Sequence, residues 1–180
     1  MKASAVFVAF CLGLLATGAT AALKTGEAAP DFTVQAAQGG KEFTFSLADA
    51  LKKGPVVLYF YPKSFTSTCT VEAHEFAENM ENFKAAGASV IGLSADPIDV
   101  QREFSSKECR DKFPVGANPS LSVIKAYDAT YMPGMAFASR ISYVISPEGK
   151  IVYAHEGSSA EEHIENTLAA VRKWHDAHAR

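Results

Sequence analysis

Hydrophobic positions along the chain switch between two periods, and the switches mark the elements. Phe32 to Val34 and Glu42 to Phe45 are short alternating runs on either side of Gly39-Gly40, which predicts a hairpin. Ser46 can cap a short helix over Leu47 to Lys53 that stops at Gly54. Pro55 to Tyr61 is almost continuously apolar, as suits a strand buried on both faces. From Ser67 to Ala86 the period becomes helical, with Phe76, Met80 and Phe83 on one stripe and Gly87 ending it. Cys69 and Ala73 carry that stripe back to the first turn, so Cys69 is expected to face inward.

The alternation then repeats. Ala88 to Leu93 reads as a second buried strand, and Asp99 to Lys112 as an amphipathic helix with Val100 and Phe104 on its apolar side. Phe113 to Val115 is a short strand, Ser120 to Tyr127 a short helix and Met132 to Ser139 a loop. Ile141 to Ile145 and Lys150 to Ala154 form a hairpin across Pro147-Glu148-Gly149. A last helix opens at Ser158 or Ser159, with Glu161 or Glu162 completing a capping box. Its buried stripe is Ile164, Leu168 and Val171, with Trp174 also read as core. This order of elements implies one α/β domain with a mixed sheet covered on both faces.

The first residues follow a different rule. Lys2 precedes an apolar stretch from Ala3 to Leu15, and small residues lead to Ala19-Thr20-Ala21. The pattern predicts a secretory signal peptide over residues 1–21, leaving a domain over 22–180. The stretch is short for a span of about 20 residues, so no membrane segment is expected after cleavage. An exported protein of this kind points to a bacterial periplasm. The chain of 180 residues is 48% hydrophobic and 21% charged, with a net charge of -3. Without a basic stripe, nucleic acid is not an expected partner.

Loss of residues 1–21 removes Cys11 and leaves Cys69 and Cys109. In an oxidising compartment two thiols can be a structural disulfide or a working redox pair, and spacing does not choose between them. The placement of Cys69 is more telling. It follows a buried strand and a hydroxyl-rich loop, Pro62 to Thr68, at the start of a helix. Cysteines at helix N-termini are favoured as thiolates, because unpaired N–H groups and the macrodipole meet them there.

Tyr59-Phe60-Tyr61-Pro62-Lys63 followed by Thr66-x-x-Cys69-Thr70-x-Glu72-Ala73 resembles the active-site segment of peroxiredoxins, most closely the Q type, or bacterioferritin comigratory protein. Gly26-x-x-Ala29-Pro30-Asp31-Phe32, Ser94-x-Asp96-Pro97 and Arg140-x-x-Tyr143-Val144-Ile145 with Pro147-x-Gly149-Lys150-Ile151 extend the likeness along the whole domain. The resemblance implies a thioredoxin-like three-layer fold, a central mixed sheet with helices on both faces. It implies a thiol-dependent peroxidase without metal, haem or flavin, acting on hydrogen peroxide or organic hydroperoxides. Cys69 would be the nucleophile, passing through a sulfenic acid. Arg140 would be the fixed cation, Thr66 the hydroxyl that accepts from the peroxide and donates toward the thiolate, and Pro62 the shield. Backbone N–H groups near Thr68 and Cys69 would complete the oxygen site. Glu72 either braces Arg140 or is an ordinary first-turn acid.

The chain departs from the family where a second cysteine commonly follows five positions later, because that residue is His74. Cys109, expected near the end of the Asp99–Lys112 helix, is then the predicted resolving partner. A one-cysteine mechanism with an outside thiol and an inert core thiol are the alternatives. Recycling would fall to a thioredoxin-like or other thiol reductant, and relatives suggest a monomer or weak dimer. Two other classes compete: a thioredoxin-like disulfide oxidoreductase, which the missing C-x-x-C disfavours, and a non-enzymatic redox-sensing or binding domain with a structural Cys69–Cys109 disulfide. The histidines, His155, His163, His175 and His178 among them, are expected to be solvated and not to hold a metal.

Overall fold

The computed structural model describes residues 22–179, so the predicted signal peptide lies outside the described residues. Among the described residues seven strands form one sheet in the order β2-β1-β5-β4-β3-β6-β7. They are β1 (Thr33–Gln38), β2 (Lys41–Ser46), β3 (Val56–Phe60), β4 (Ser89–Ser94), β5 (Val115–Ala117), β6 (Ile141–Ile145) and β7 (Ile151–Glu156). Strand pairs β3–β4 and β4–β5 are parallel and the others antiparallel, which makes the sheet mixed, as expected. Gly39 and Gly40, both at positive φ, turn the first hairpin.

Among the described residues five helices cover the sheet: α1 (Leu47–Leu51), α2 (Ser67–Ala85), α3 (Ile98–Lys107), α4 (Ser122–Ala126) and α5 (Ala160–His178). The central strand β3 shows why both faces need cover. Val56, Leu58 and Phe60 join one apolar cluster with Leu47 and Leu51 of α1 and Val123 and Ile124 of α4. Val57, Tyr59 and Tyr61 point the other way, into a cluster with Phe76 and Phe83 of α2, Phe104 of α3 and Ile164 and Leu168 of α5. No helix among the described residues is long and apolar enough to cross a membrane.

One close approach sets the second cluster. Gly92 of β4 pairs with Tyr59 of β3, and a Cβ at Gly92 would lie 2.5 Å from the Tyr59 ring. The ring is held from its other side by stacking on Phe76 at 4.4 Å, so it has no free direction to yield. Gly92→Ala should therefore destabilise the protein by about 1–3 kcal/mol, seen as a lower urea midpoint at unchanged m.

Three sequence expectations need correction. The Asp99–Lys112 helix ends at Lys107, because Glu108 is its C-cap and Arg110 and Asp111 take left-handed backbone at φ 50° and 60°. Cys109 thus sits in a turn beyond the helix, its N–H donating to the Phe104 carbonyl at 3.0 Å. Trp174 is only half-buried and stacks on His178 with ring centroids 4.3 Å apart. His163 is not solvated; it is fully buried in α5.

Candidate active site

The register of β3 and β6 brings the site together. Phe60 pairs with Ile141 in antiparallel fashion, so the residues just beyond each strand end, Tyr61 and Arg140, emerge side by side. From Tyr61 the chain runs through Pro62–Phe65 into α2, whose N-cap is Thr66. Phe65 holds φ at 63°, an uncommon conformation for a bulky residue, and its ring rests edge-on against Phe104 at 5.2 Å.

A buried polar network pins that loop. Tyr61 donates to Gln101 Oε1 at 2.7 Å, and Gln101 Nε2 donates to Ser94 Oγ at 2.7 Å. Ser94 Oγ and the Ser64 N–H both donate to Asp96 Oδ2, at 2.8 and 2.7 Å. The motif around Ser94 and Asp96 was visible in the sequence. Ser64 and Gln101 were missed, because polar residues in a loop and a helix carry no mark of burial.

Cys69 stands in the first turn of α2, 2% exposed, as its place on the apolar stripe predicted. The first backbone bond of the helix, Thr70 N–H to the Thr66 carbonyl at 2.9 Å, leaves the N–H groups before it facing the loop. Arg140 Nη2 donates to Cys69 Sγ at 3.2 Å. Its other terminal nitrogen, Nη1, donates to Glu72 Oε2. Glu72 is therefore the brace of the two readings left open, fully buried one turn after Cys69. Burial pushes its carboxyl up to about 8, against the downward pull of Arg140. For Arg140 burial acts downward, and Glu72 and Cys69 outweigh it, so the guanidinium stays charged.

Pro62 lines the cleft beside Arg140, while Thr66 is exposed at the N-cap of α2 and is not oriented as expected. Thr66 Oγ1 donates to the Lys63 carbonyl at 2.9 Å, so its hydrogen is committed to the loop and not aimed at the sulfur. Its lone pairs are left to accept from another group. Pro62, Thr68, Tyr131, Ser139, Arg140, Glu156, Gly157 and Ser158 line a cleft of about 390 Å³. A larger cleft, about 570 Å³, lies between the first hairpin and the end of α2, with no cysteine, histidine or arginine on its wall. Chemistry and not volume locates the site. Tyr131, Met132, Met135 and Phe137 form an exposed apolar rim, in the loop whose base ends at Arg140.

Behind Arg140 sits His163. Its Nε2–H donates to the Gly157 carbonyl at 3.0 Å, which leaves Nδ1 to accept from Ser142 Oγ at 2.7 Å. Burial lowers its pKa to about 4, so the ring is neutral. The Gly157 N–H in turn reaches the Arg140 carbonyl at 3.4 Å. Among the described residues no group of three or more His, Cys, Asp or Glu side chains is placed to hold a metal ion.

Cys109 is not bonded to Cys69; both thiols are free and buried, in the same apolar cluster. Burial raises the Cys109 pKa well above the usual thiol range, and Glu108 and Asp111 add to it. The Tyr59 hydroxyl, buried without a hydrogen-bond partner among the described residues, is also raised well above its ordinary range. Burial acts first there, then Cys109, Tyr61, Glu72 and Cys69.

Comparison with known proteins agrees with this geometry. Residues 25–154 match the AhpC/TSA family. Chloroplastic peroxiredoxin Q of Oryza sativa subsp. japonica is 34% identical over 144 residues, covering 79% of this chain and 64% of the rice protein. The chain thus spans a little under two thirds of the rice relative. Peroxiredoxin Bcp of Xanthomonas campestris pv. campestris is 30% identical over 130 residues, 69% of this chain and 78% of that protein. The crystal structure of peroxidoxin BcpB from Mycobacterium tuberculosis superposes with a TM-score of 0.76 at 28% identity, covering 84% of this chain and 97% of that one. With a cysteine opening α2, an arginine at the head of β6 and these relatives, the chain belongs to the AhpC/TSA family, among the peroxiredoxins of the Q type.

Proposed function

We propose that the chain is a thiol-dependent peroxidase that reduces hydrogen peroxide and organic hydroperoxides, with Cys69 as nucleophile. The observation that carries this reading is the guanidinium N–H of Arg140 on Cys69 Sγ at 3.2 Å, in the first turn of a helix. The Cys69 thiolate attacks one peroxide oxygen. The S–O bond forms as the O–O bond breaks, and the leaving oxygen departs with a proton as water or alcohol. Arg140 faces the charge that develops there, with the N–H groups at the start of α2 beside it. The Thr66 lone pairs accept from the peroxide O–H, and Pro62 walls the thiolate from bulk water.

The Cys69 sulfenic acid is then resolved by Cys109: the new S–S bond forms, the S–O bond breaks and water leaves. A thioredoxin-like dithiol returns both thiols by exchange. The Ala19-Thr20-Ala21 pattern supports cleavage after residue 21 and export to a periplasm. Membership of the Q type supports a monomer or weak dimer in solution.

Stopped-flow mixing tests the central claim. Reduced protein should consume one peroxide for each Cys69 thiol in a fast phase, and Cys69→Ser should abolish it. Retention of the fast phase in Cys69→Ser would remove Cys69 from the chemistry.

A further inference from the structure

Cys109 lies between two residues of opposite charge, and each is tied to the same helix. Glu108 Oε2 meets His74 Nε2 at 2.8 Å, and Arg110 Nη1 donates to Glu78 Oε1 at 3.0 Å. His74 and Glu78 are one turn apart on α2, so they present neighbouring positions to the turn that carries Cys109. The acid is on the turn in one pair and on α2 in the other, so a slip of the turn by one helical turn would set Glu108 against Glu78. The turn also holds left-handed backbone at Arg110 and Asp111. It is further tied by Gln38 Nε2 donating to the Asp111 carbonyl and the Asp111 N–H donating to the Ser105 carbonyl, both at 3.1 Å.

These ties fix where Cys109 sits along α2. His74 and Glu78 follow Cys69 by five and nine residues, so at 1.5 Å per residue the two anchors on α2 lie roughly 8 and 14 Å down the helix axis from Cys69. A disulfide needs Cα atoms within about 7 Å. Both thiols are free while the clamp is shut, and its anchors lie down α2 from the helix start, so either the turn or the start of α2 moves for the thiols to bond.

We propose that the His74–Glu108 and Glu78–Arg110 pairs act as a clamp that sets the rate at which Cys109 reaches oxidised Cys69. This rests on the reading that Cys109 resolves Cys69. The four residues are positioning residues, since none touches the peroxide or either sulfur. While the clamp is shut the Cys69 sulfenic acid persists, and a second peroxide can oxidise it to the sulfinic acid, releasing water or alcohol. The rate of release thus decides between turnover and over-oxidation.

The test uses the reduced full chain, one equivalent of hydrogen peroxide, rapid alkylation of remaining thiols and mass measurement over time. His74→Ala with Glu78→Gln, two partly exposed positions on α2, should form the Cys69–Cys109 disulfide at least about threefold faster than the unaltered chain. Arg110→Gln, which releases one pair, should fall between the two. At excess peroxide the double variant should accumulate less sulfinic acid, while the first peroxide-consuming phase is unchanged. Disulfide formation at an equal or lower rate in the double variant would overturn the clamp alone. If the unaltered chain forms no Cys69–Cys109 disulfide, the resolving role of Cys109 fails and the clamp with it.

Discussion

Replacing Arg140 by methionine is expected to lower kcat/KM for peroxide by about 10²–10³-fold, the usual cost of removing a directed donor from developing charge. The side chain uses two nitrogens for two tasks, Nη2 on Cys69 Sγ and Nη1 on Glu72 Oε2. Arg140→Lys is the sharper variant. A lysine keeps the charge but offers one nitrogen, which cannot span the sulfur and the carboxyl together. It is expected to recover less than about a tenth of the lost rate. Stopped-flow peroxide consumption by the reduced protein, alongside a urea melt showing that each variant is folded, gives the answer. An Arg140→Lys rate within twofold of the unaltered chain would mean that charge alone, and not the forked geometry, serves the reaction.

Glu72→Ala is expected to destabilise the protein by about 1–3 kcal/mol. It leaves the guanidinium of Arg140, only 9% exposed, without its buried acceptor. Glu72→Gln keeps an acceptor oxygen and should cost less. The pair also sets a pH dependence. In the unfolded chain the carboxyl titrates near 4.5, while in the fold burial raises it to about 8. Between those values the native state binds a proton that the unfolded chain has released. The stability it contributes is full below 4.5 and is lost as pH rises through 8. Urea unfolding across that window should show a falling slope that flattens in Glu72→Gln. An equal slope in both proteins would assign the pH dependence to another group.

Much of the site was legible because it is local. Cys69, Thr66 and Pro62 lie within eight consecutive residues, and the helix start, the apolar stripe and the turn chemistry there are short-range signals. The fate of Glu72 was not. A glutamate in a first turn looks the same whether water or a guanidinium receives it, and the partner is 68 residues away. His163 misled for a related reason. A histidine in the first turn of a helix reads as solvated unless its neighbours across the sheet are known, and Ser142 and Gly157 are what satisfy it. The α3 boundary failed because Lys107 to Lys112 keeps a polar, helix-compatible composition. Only the left-handed residues Arg110 and Asp111, held against β1 through Gln38, end the helix there.

The sequence by itself determined the class of fold, the central strands β3, β4 and β6, and the candidate nucleophile. These follow from periodicity and from a cysteine at a helix start, both set by residues within a turn or two of one another. Only the tertiary structure decided which groups surround that cysteine and which elements carry the second one. Antiparallel pairing of β3 with β6 delivers Arg140 to the sulfur, and the packing of the α3–β5 turn on α2 positions Cys109. Such juxtapositions depend on strand order and side-chain burial across the whole chain, for which no local pattern of residues is a sufficient cause.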